Sequence, residues 1–143
     1  MDANRKTDIL EYIGKNLSAS DYDIAKIVKY IYGNDYCMLT DNKQDKWFKF
    51  NGKHWETSTM IKHELKIKLS EEVSSLIADL RTKIRNNLSN LSSFERTYEE
   101  NRMKTSTKIE QMLRSTNVKD KILRECESLF FVKDFPDRSN GVM

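Results

Sequence analysis

A chain of 143 residues with 38% hydrophobic and 33% charged residues is sized for one domain with a thin core and long solvated faces. Four glycines and one proline exclude a turn-dense all-β sandwich or barrel and make helix the default. No run approaches the roughly 20 apolar residues of a membrane span, and a net charge of +3 permits nucleic-acid binding without requiring it.

The N-terminus, MDANRKTDILEYIGKN, lacks the apolar run of a secretory signal, so an intracellular chain with no membrane partner is expected. Cys37 and Cys126 are far apart and sit in apolar or helical surroundings, which fits reduced, buried thiols. In segment 1–19, Ile9, Tyr12, Ile13 and Leu17 share one face, compatible with a short helix or a frayed arm, the helix being preferred. Segment 20–33 reads as a helix, with Ile24, Ile27, Val28 and Ile31 at helical spacing, Ser20 and Asp23 as capping residues, and Gly33 at the far end.

Segment 36–57 loses the helical period and is expected to form a small antiparallel β-hairpin or three-stranded meander. Asn51-Gly52 suggests a two-residue type I′ turn, which would place Phe48 opposite Trp55. Phe48, Phe50 and Trp55 would then line one side, with Trp47, Lys49 and His54 on the other. Asp41 to Asp45 reads as a polar loop before the hairpin.

A long helix is expected over 59–91, carried by Ile61, Leu65, Leu69, Val73, Leu76, Ile77, Leu80, Ile84, Leu88 and Leu91, with a break near Ser70 as an option. Segment 94–104 is mostly charged and reads as a solvated helix or a mobile connection. Two shorter helices fill 106–130, the second capped by Asn117. Segment 131–143 ends just after Asn140-Gly141, as a tail cut from a longer chain would. The fold class is therefore mainly α, a single domain with a small β-element.

No complete catalytic site is legible. A phosphate-cradling loop needs several glycines before Lys and Ser or Thr, and Asn51-Gly52-Lys53-His54 supplies one. His63-Glu64 begins a zinc-hydrolase pattern but meets Ile67 where the second histidine belongs. Acid pairs such as Asp41 with Asp45 or Glu71 with Glu72 read as solvated surface. No catalytic residue, metal ligand or cofactor is assigned to this chain.

Basic and aromatic residues carry what chemistry remains. Lys46, Trp47, Lys49, Lys53, His54 and Trp55, continued by Lys62, Lys66 and Lys68, could hold single-stranded DNA by stacking and phosphate pairing. The competing reading makes the rings core and the lysines a solvated face; it is favoured for Phe48, Phe50 and Trp55 and evenly balanced for Trp47 with Lys49. A second run, Arg102, Lys104, Lys108, Arg114, Lys119, Lys121 and Arg124, is opposed by Glu110 and Asp120 and fits a solvated face, a DNA groove or an anionic partner. The candidate nucleic-acid contacts are Trp47, Lys49, Lys53, Lys62, Lys66, Lys108, Arg114, Lys119, Lys121 and Arg124.

The segments YIYGNDYCML, KWFKFNGKHWET, MLRSTNVKDKILRECESLF and FVKDF with a later NGV occur in an order that resembles a known family. It is the helicase N-terminal-like domain that precedes the superfamily 3 helicase in poxvirus-type and phage or plasmid primase-helicases. The resemblance covers roughly Ile24 to Val142, and its most specific parts are the spacing of Trp47, Gly52 and Trp55 and the Ser115-Thr116 junction. It implies a non-catalytic place in a DNA replication machine, linking a primase to an ATP-driven helicase and helping to contact DNA or assemble the helicase ring. The implied partners are DNA, single-stranded and read without regard to sequence, neighbouring primase and helicase domains, and further copies in a homo-oligomer. The implied site of action is the host cytoplasm or a viral replication site. An alternative is a protein-interaction or oligomerisation domain that uses the long helix as a partner-facing stripe and does not touch DNA.

Overall fold

The Asp2 carboxylate accepts the Arg5 amide at 2.8 Å and so opens helix α1, Ala3–Lys15, earlier than the apolar pattern alone suggests. Ile9, Leu10 and Ile13 are its buried face. Helix α2, Asp21–Tyr32, begins as expected at Ser20, whose hydroxyl accepts the Asp23 amide. Gly33 follows it with φ −63°, so it ends the helix in a right-handed conformation and not in the left-handed one usual for a closing glycine. The computed structural model describes residues 1–138; the Asn140-Gly141-Val142 ending falls outside them.

Strands β1 (Tyr36–Asp41), β2 (Gln44–Phe50) and β3 (Trp55–Thr57) form an antiparallel sheet in the order β1-β2-β3, the expected meander. Its turns are not the expected ones. The two-residue turn lies at Asn42 and Lys43, with φ of 50° and 65°, where a polar loop was expected. At Asn51-Gly52 only Gly52 has positive φ, at +99°. The Asn51 side-chain oxygen accepts the amides of Lys53 and His54 at 2.9 Å, and this local turn lengthens the connection to four residues, 51–54. Trp55 therefore pairs with Phe50, while Phe48 pairs with Thr57. Because the displacement is two residues, Phe48, Phe50 and Trp55 still share a face.

Beyond the sheet, helix α3 (Ile61–Lys68), a π-helical turn (Leu69–Val73) and helix α4 (Ser74–Asn87) run on as one rod, followed by a 3₁₀ turn at Leu88–Asn90. The option of a break near Ser70 is resolved as the π turn. Ile61, Leu65, Leu69, Val73 and Ile77 recur every four residues, a spacing that drifts about 40° per step around a regular helix. A π turn underwinds the chain and brings the stripe back into line. All five are buried, as are Leu76, Leu80 and Ile84.

Helix α5 (Ser93–Met112) resolves the 94–104 alternatives in favour of a solvated helix, which runs on without a break into the short helix expected from 106, 20 residues in all. Ser92 and Glu95 cap it reciprocally. Helix α6 (Thr116–Leu129) starts at Ser115, whose hydroxyl accepts the Val118 amide, not at Asn117.

The core lies where α2 packs on α6, α1 on α2 and α4, and α4 on α5. Between α4 and α5, Arg81 pairs with Glu110 and reaches the hydroxyl of buried Ser106 at 3.3 Å. The sheet joins this core through Trp47, only 8% exposed, whose ring meets Phe130 edge to face at 5.2 Å. After α6 the chain pairs with the outer edge of β1, Met38 donating to Phe130 and Val132 donating to Met38. It then crosses the opposite sheet face, where Phe135 covers Phe48 and Trp55. Cys37 and Cys126 are buried and unpaired with each other. Burial pushes the Cys37 thiol up to about 11, and pushes Cys126 higher.

Candidate nucleic-acid interface

Helices α3 and α6 lie against each other, and their amphipathic patterns leave cations on the outer surface of the pair. Lys62 on α3 and Lys121 and Arg124 on α6 are exposed; Lys66 and Lys119 are partly covered. Lys66 Nζ lies 2.5 Å from Asp120 Oδ1. That hydrogen bond, reinforced by the charges of Lys66, Lys62 and Arg124, holds the Asp120 carboxyl below its ordinary range. Lys62 and Lys66 lie one turn apart on α3, and Asp120 and Arg124 one turn apart on α6, so the Lys66–Asp120 pair brings these cations of two packed helices onto one surface.

The π turn fixes a fourth member. Ser70 Oγ donates to the Leu113 carbonyl at 3.1 Å and accepts from Lys119 Nζ at 2.7 Å. The α5–α6 junction is thereby held against the π turn, with exposed Arg114 next to Leu113. One residue inserted into the helical winding therefore helps to hold Lys119, the neighbour of Asp120 on α6. Such a face can neutralise successive phosphates.

The other sequence candidates lie elsewhere. Trp47 is a correction: its ring is core, packed on Phe130, and cannot present a face to a base. Lys49 Nζ is 2.5 Å from Glu64 Oε1 and stands over the Tyr36 ring at 5.8 Å, so it ties β2 to α3. Partial burial raises the Glu64 pKa, but the Lys49 hydrogen bond, the Tyr36 hydroxyl and the charges of Lys49 and Lys68 together outweigh it and the net shift is downward. Alongside, Tyr32 donates to Glu72 at 2.8 Å and Lys68 reaches the same carboxylate at 3.2 Å. Burial first, then Glu72, raises the Tyr32 hydroxyl pKa. Lys108 is exposed on α5, and no hydrogen bond or ion pair joins it to the α3–α6 patch. Lys53 is on the 51–54 loop at the far side of the sheet.

Sequence reasoning gave Ser70 and Asp120 no role in the site, naming them only as a possible break and an opposing acid, and it passed over Phe135. Ser70 carried a signal, since the unbroken spacing of four around it calls for underwinding. Phe135 carried none, because its place depends on the path of the tail. Among the described residues no group of three or more His, Cys, Asp or Glu side chains could hold a metal ion, and no helix is long and apolar enough to cross a membrane.

The family model described as D5 N terminal like matches residues 25–140. The chain belongs to the D5 N terminal like family. The match agrees with the resemblance read over 24–142 and spans α2, the sheet, the π turn, the basic patch and the tail across the sheet. D5 N terminal like domains are associated with primase-helicases. Comparison with curated proteins finds no match to this chain.

Proposed function

We propose that this chain is a non-catalytic module of a DNA replication primase-helicase and that its α3–α6 face holds DNA by the phosphate backbone. The observation that carries the reading is the Lys66–Asp120 pair, which ties α3 to α6 among exposed Lys62, Lys121 and Arg124, with Lys119 held by Ser70. Cations from two rigid helices, positioned by hydrogen bonds, make a phosphate-tracking surface without sequence preference. Priming and unwinding would belong to neighbouring domains, and the module would link them and steady the strand between them.

A gel-shift titration of the chain with single-stranded DNA tests this. Wild type should bind, and Lys62→Ala, Lys66→Ala and Arg124→Ala combined should weaken binding at least tenfold with the fold intact. Equal affinity of wild type and the combined variant would overturn the proposal.

A second reading, protein docking without DNA contact, draws support from Phe94 and Tyr98, which are 85% and 61% exposed one turn apart on α5. The stripe first considered for that role, from Ile61 to Ile84, is buried within the chain. Sedimentation of the chain with and without DNA separates the two readings: association that needs no DNA and is lost in Phe94→Ser with Tyr98→Ser would favour docking.

A further inference from the structure

The 51–54 loop and the C-terminal segment border an open cavity of about 420 Å³ on the sheet face turned away from the helices. Phe50, Trp55 and Phe135 form its aromatic walls, and Lys53, His54 and Arg138 line it with basic groups. Phe135 stacks on Trp55 with an interplanar angle of 8° and centroids 6.0 Å apart, yet remains 44% exposed. Phe50 meets Trp55 at 5.5 Å and 60°. The Trp55 indole donates to the Pro136 carbonyl at 3.1 Å, which anchors the segment at the cavity wall.

Arg138 lies over the Phe50 ring at 4.7 Å and is held by the Asn34 carbonyl and, at 3.2 Å, by Asp35. Lys53 is exposed and makes no ion pair among the described residues. Asp137 also borders the cavity and is the acid among its lining residues.

We propose that this cavity takes one unpaired nucleotide, its base against the exposed Phe135 ring and the edge of Trp55 and its phosphate on Lys53. Aromatic faces stack on any base, and a cation at their edge matches the phosphate attached to it. The volume suits a single nucleotide. A base within a duplex is already stacked on both sides and cannot enter, so the cavity adds a preference for single strands that the α3–α6 face lacks. The inference rests on the reading of the chain as a DNA contact where the nucleotide belongs to a strand; a free mononucleotide has the same chemistry, and the test separates the sources.

The intact chain is titrated with a single strand containing 2-aminopurine, with a duplex of equal length, and with a nucleoside monophosphate. The expected result is quenching of 2-aminopurine by wild type and tighter binding to the single strand than to the duplex. Phe135→Ala should weaken single-strand binding on the order of 5- to 150-fold, the span of one base–aromatic stack, and leave duplex binding unchanged. Lys53→Ala, a change on an exposed loop that leaves the tail anchored, should weaken it several-fold.

Wild-type single-strand affinity and quenching in both variants would overturn the cavity, while loss in the combined Lys62, Lys66 and Arg124 variant alone would leave the basic-face reading standing. Trp fluorescence quenched by the monophosphate, with no strand bound, would keep the cavity as a free-nucleotide site and remove the DNA reading. No quenching by strand or monophosphate would overturn the cavity.

Discussion

Lys66 Nζ stands 2.5 Å from Asp120 Oδ1, and this pair ties α3 to α6 at the centre of the basic patch. Asp120 shapes that patch in two opposing ways: it orders Lys66, and its charge would repel a phosphate held there. Asp120→Asn keeps a side chain of the same shape and removes the repulsion. DNA binding should tighten about two- to fivefold, since exposed charge pairs act on this scale. Filter binding at fixed salt measures it, and weakened binding would mean that ordering of Lys66 outweighs repulsion.

Trp47 links the sheet to the helices through Phe130. Trp47→Ala should cost about 3–5 kcal/mol in urea unfolding, the usual range for a buried aromatic. DNA affinity, corrected for the folded fraction, should stay at the wild-type value. An unchanged unfolding midpoint would place the ring at the surface after all.

The two turns make opposite predictions. Lys43 adopts φ 65° without the freedom of glycine, so Lys43→Gly should stabilise the chain by up to about 1 kcal/mol. Gly52 has φ +99° and open space around it, so Gly52→Ala meets no clash and still costs about 1 kcal/mol through backbone strain alone. Thermal unfolding of the two variants checks both signs.

Acid should loosen the α3 contacts. Asp120 and Glu64 both have folded-state pKa values below their ordinary 3.8 and 4.5. A depressed carboxyl pKa contributes stability that is fully present above the unfolded value and lost as pH falls through the folded one. Urea midpoints should therefore hold from pH 7 to about 5 and drop below about pH 4. In Asp120→Asn with Glu64→Gln the drop should be shallower; an identical acid profile would show that neither carboxyl contributes.

The parts of the fold set by local periodicity were legible in the sequence. Ile24, Ile27, Val28 and Ile31 mark α2, and the Ile61 to Ile84 stripe marks the long rod, because burial of one helical face writes its spacing into the chain. Ser92 and Glu95 also announce the start of α5, but the exposed, charged first half of that helix has no apolar stripe to confirm it. The turns misled for a related reason. Asn51-Gly52 has the residue preference of a two-residue turn, yet the Asn51 side chain captures two following amides and widens the loop. Asn42 suits the tight turn, but Lys43 takes its positive φ against its own preference, held by the pairing of Asp41 with Gln44.

The candidate site was legible as residue types and not as a place. Lys62, Lys66, Lys119, Lys121 and Arg124 stand out as cations in the sequence, but only the packing of α6 on α3 gathers them. Trp47 and Trp55 look alike in a basic, aromatic stretch. One residue of strand register decides that Trp47 faces Phe130 and that Phe48 faces Phe135.

The central claim is that phosphates are neutralised by the α3–α6 face, and the salt dependence of single-strand affinity tests it most directly. Each phosphate contact on a single strand contributes about −0.7 to the slope of log K against log salt. Relative to wild type, the combined Lys62→Ala, Lys66→Ala and Arg124→Ala variant should show a slope less steep by about 2. A slope equal to that of wild type, or binding that does not respond to salt, would contradict the account.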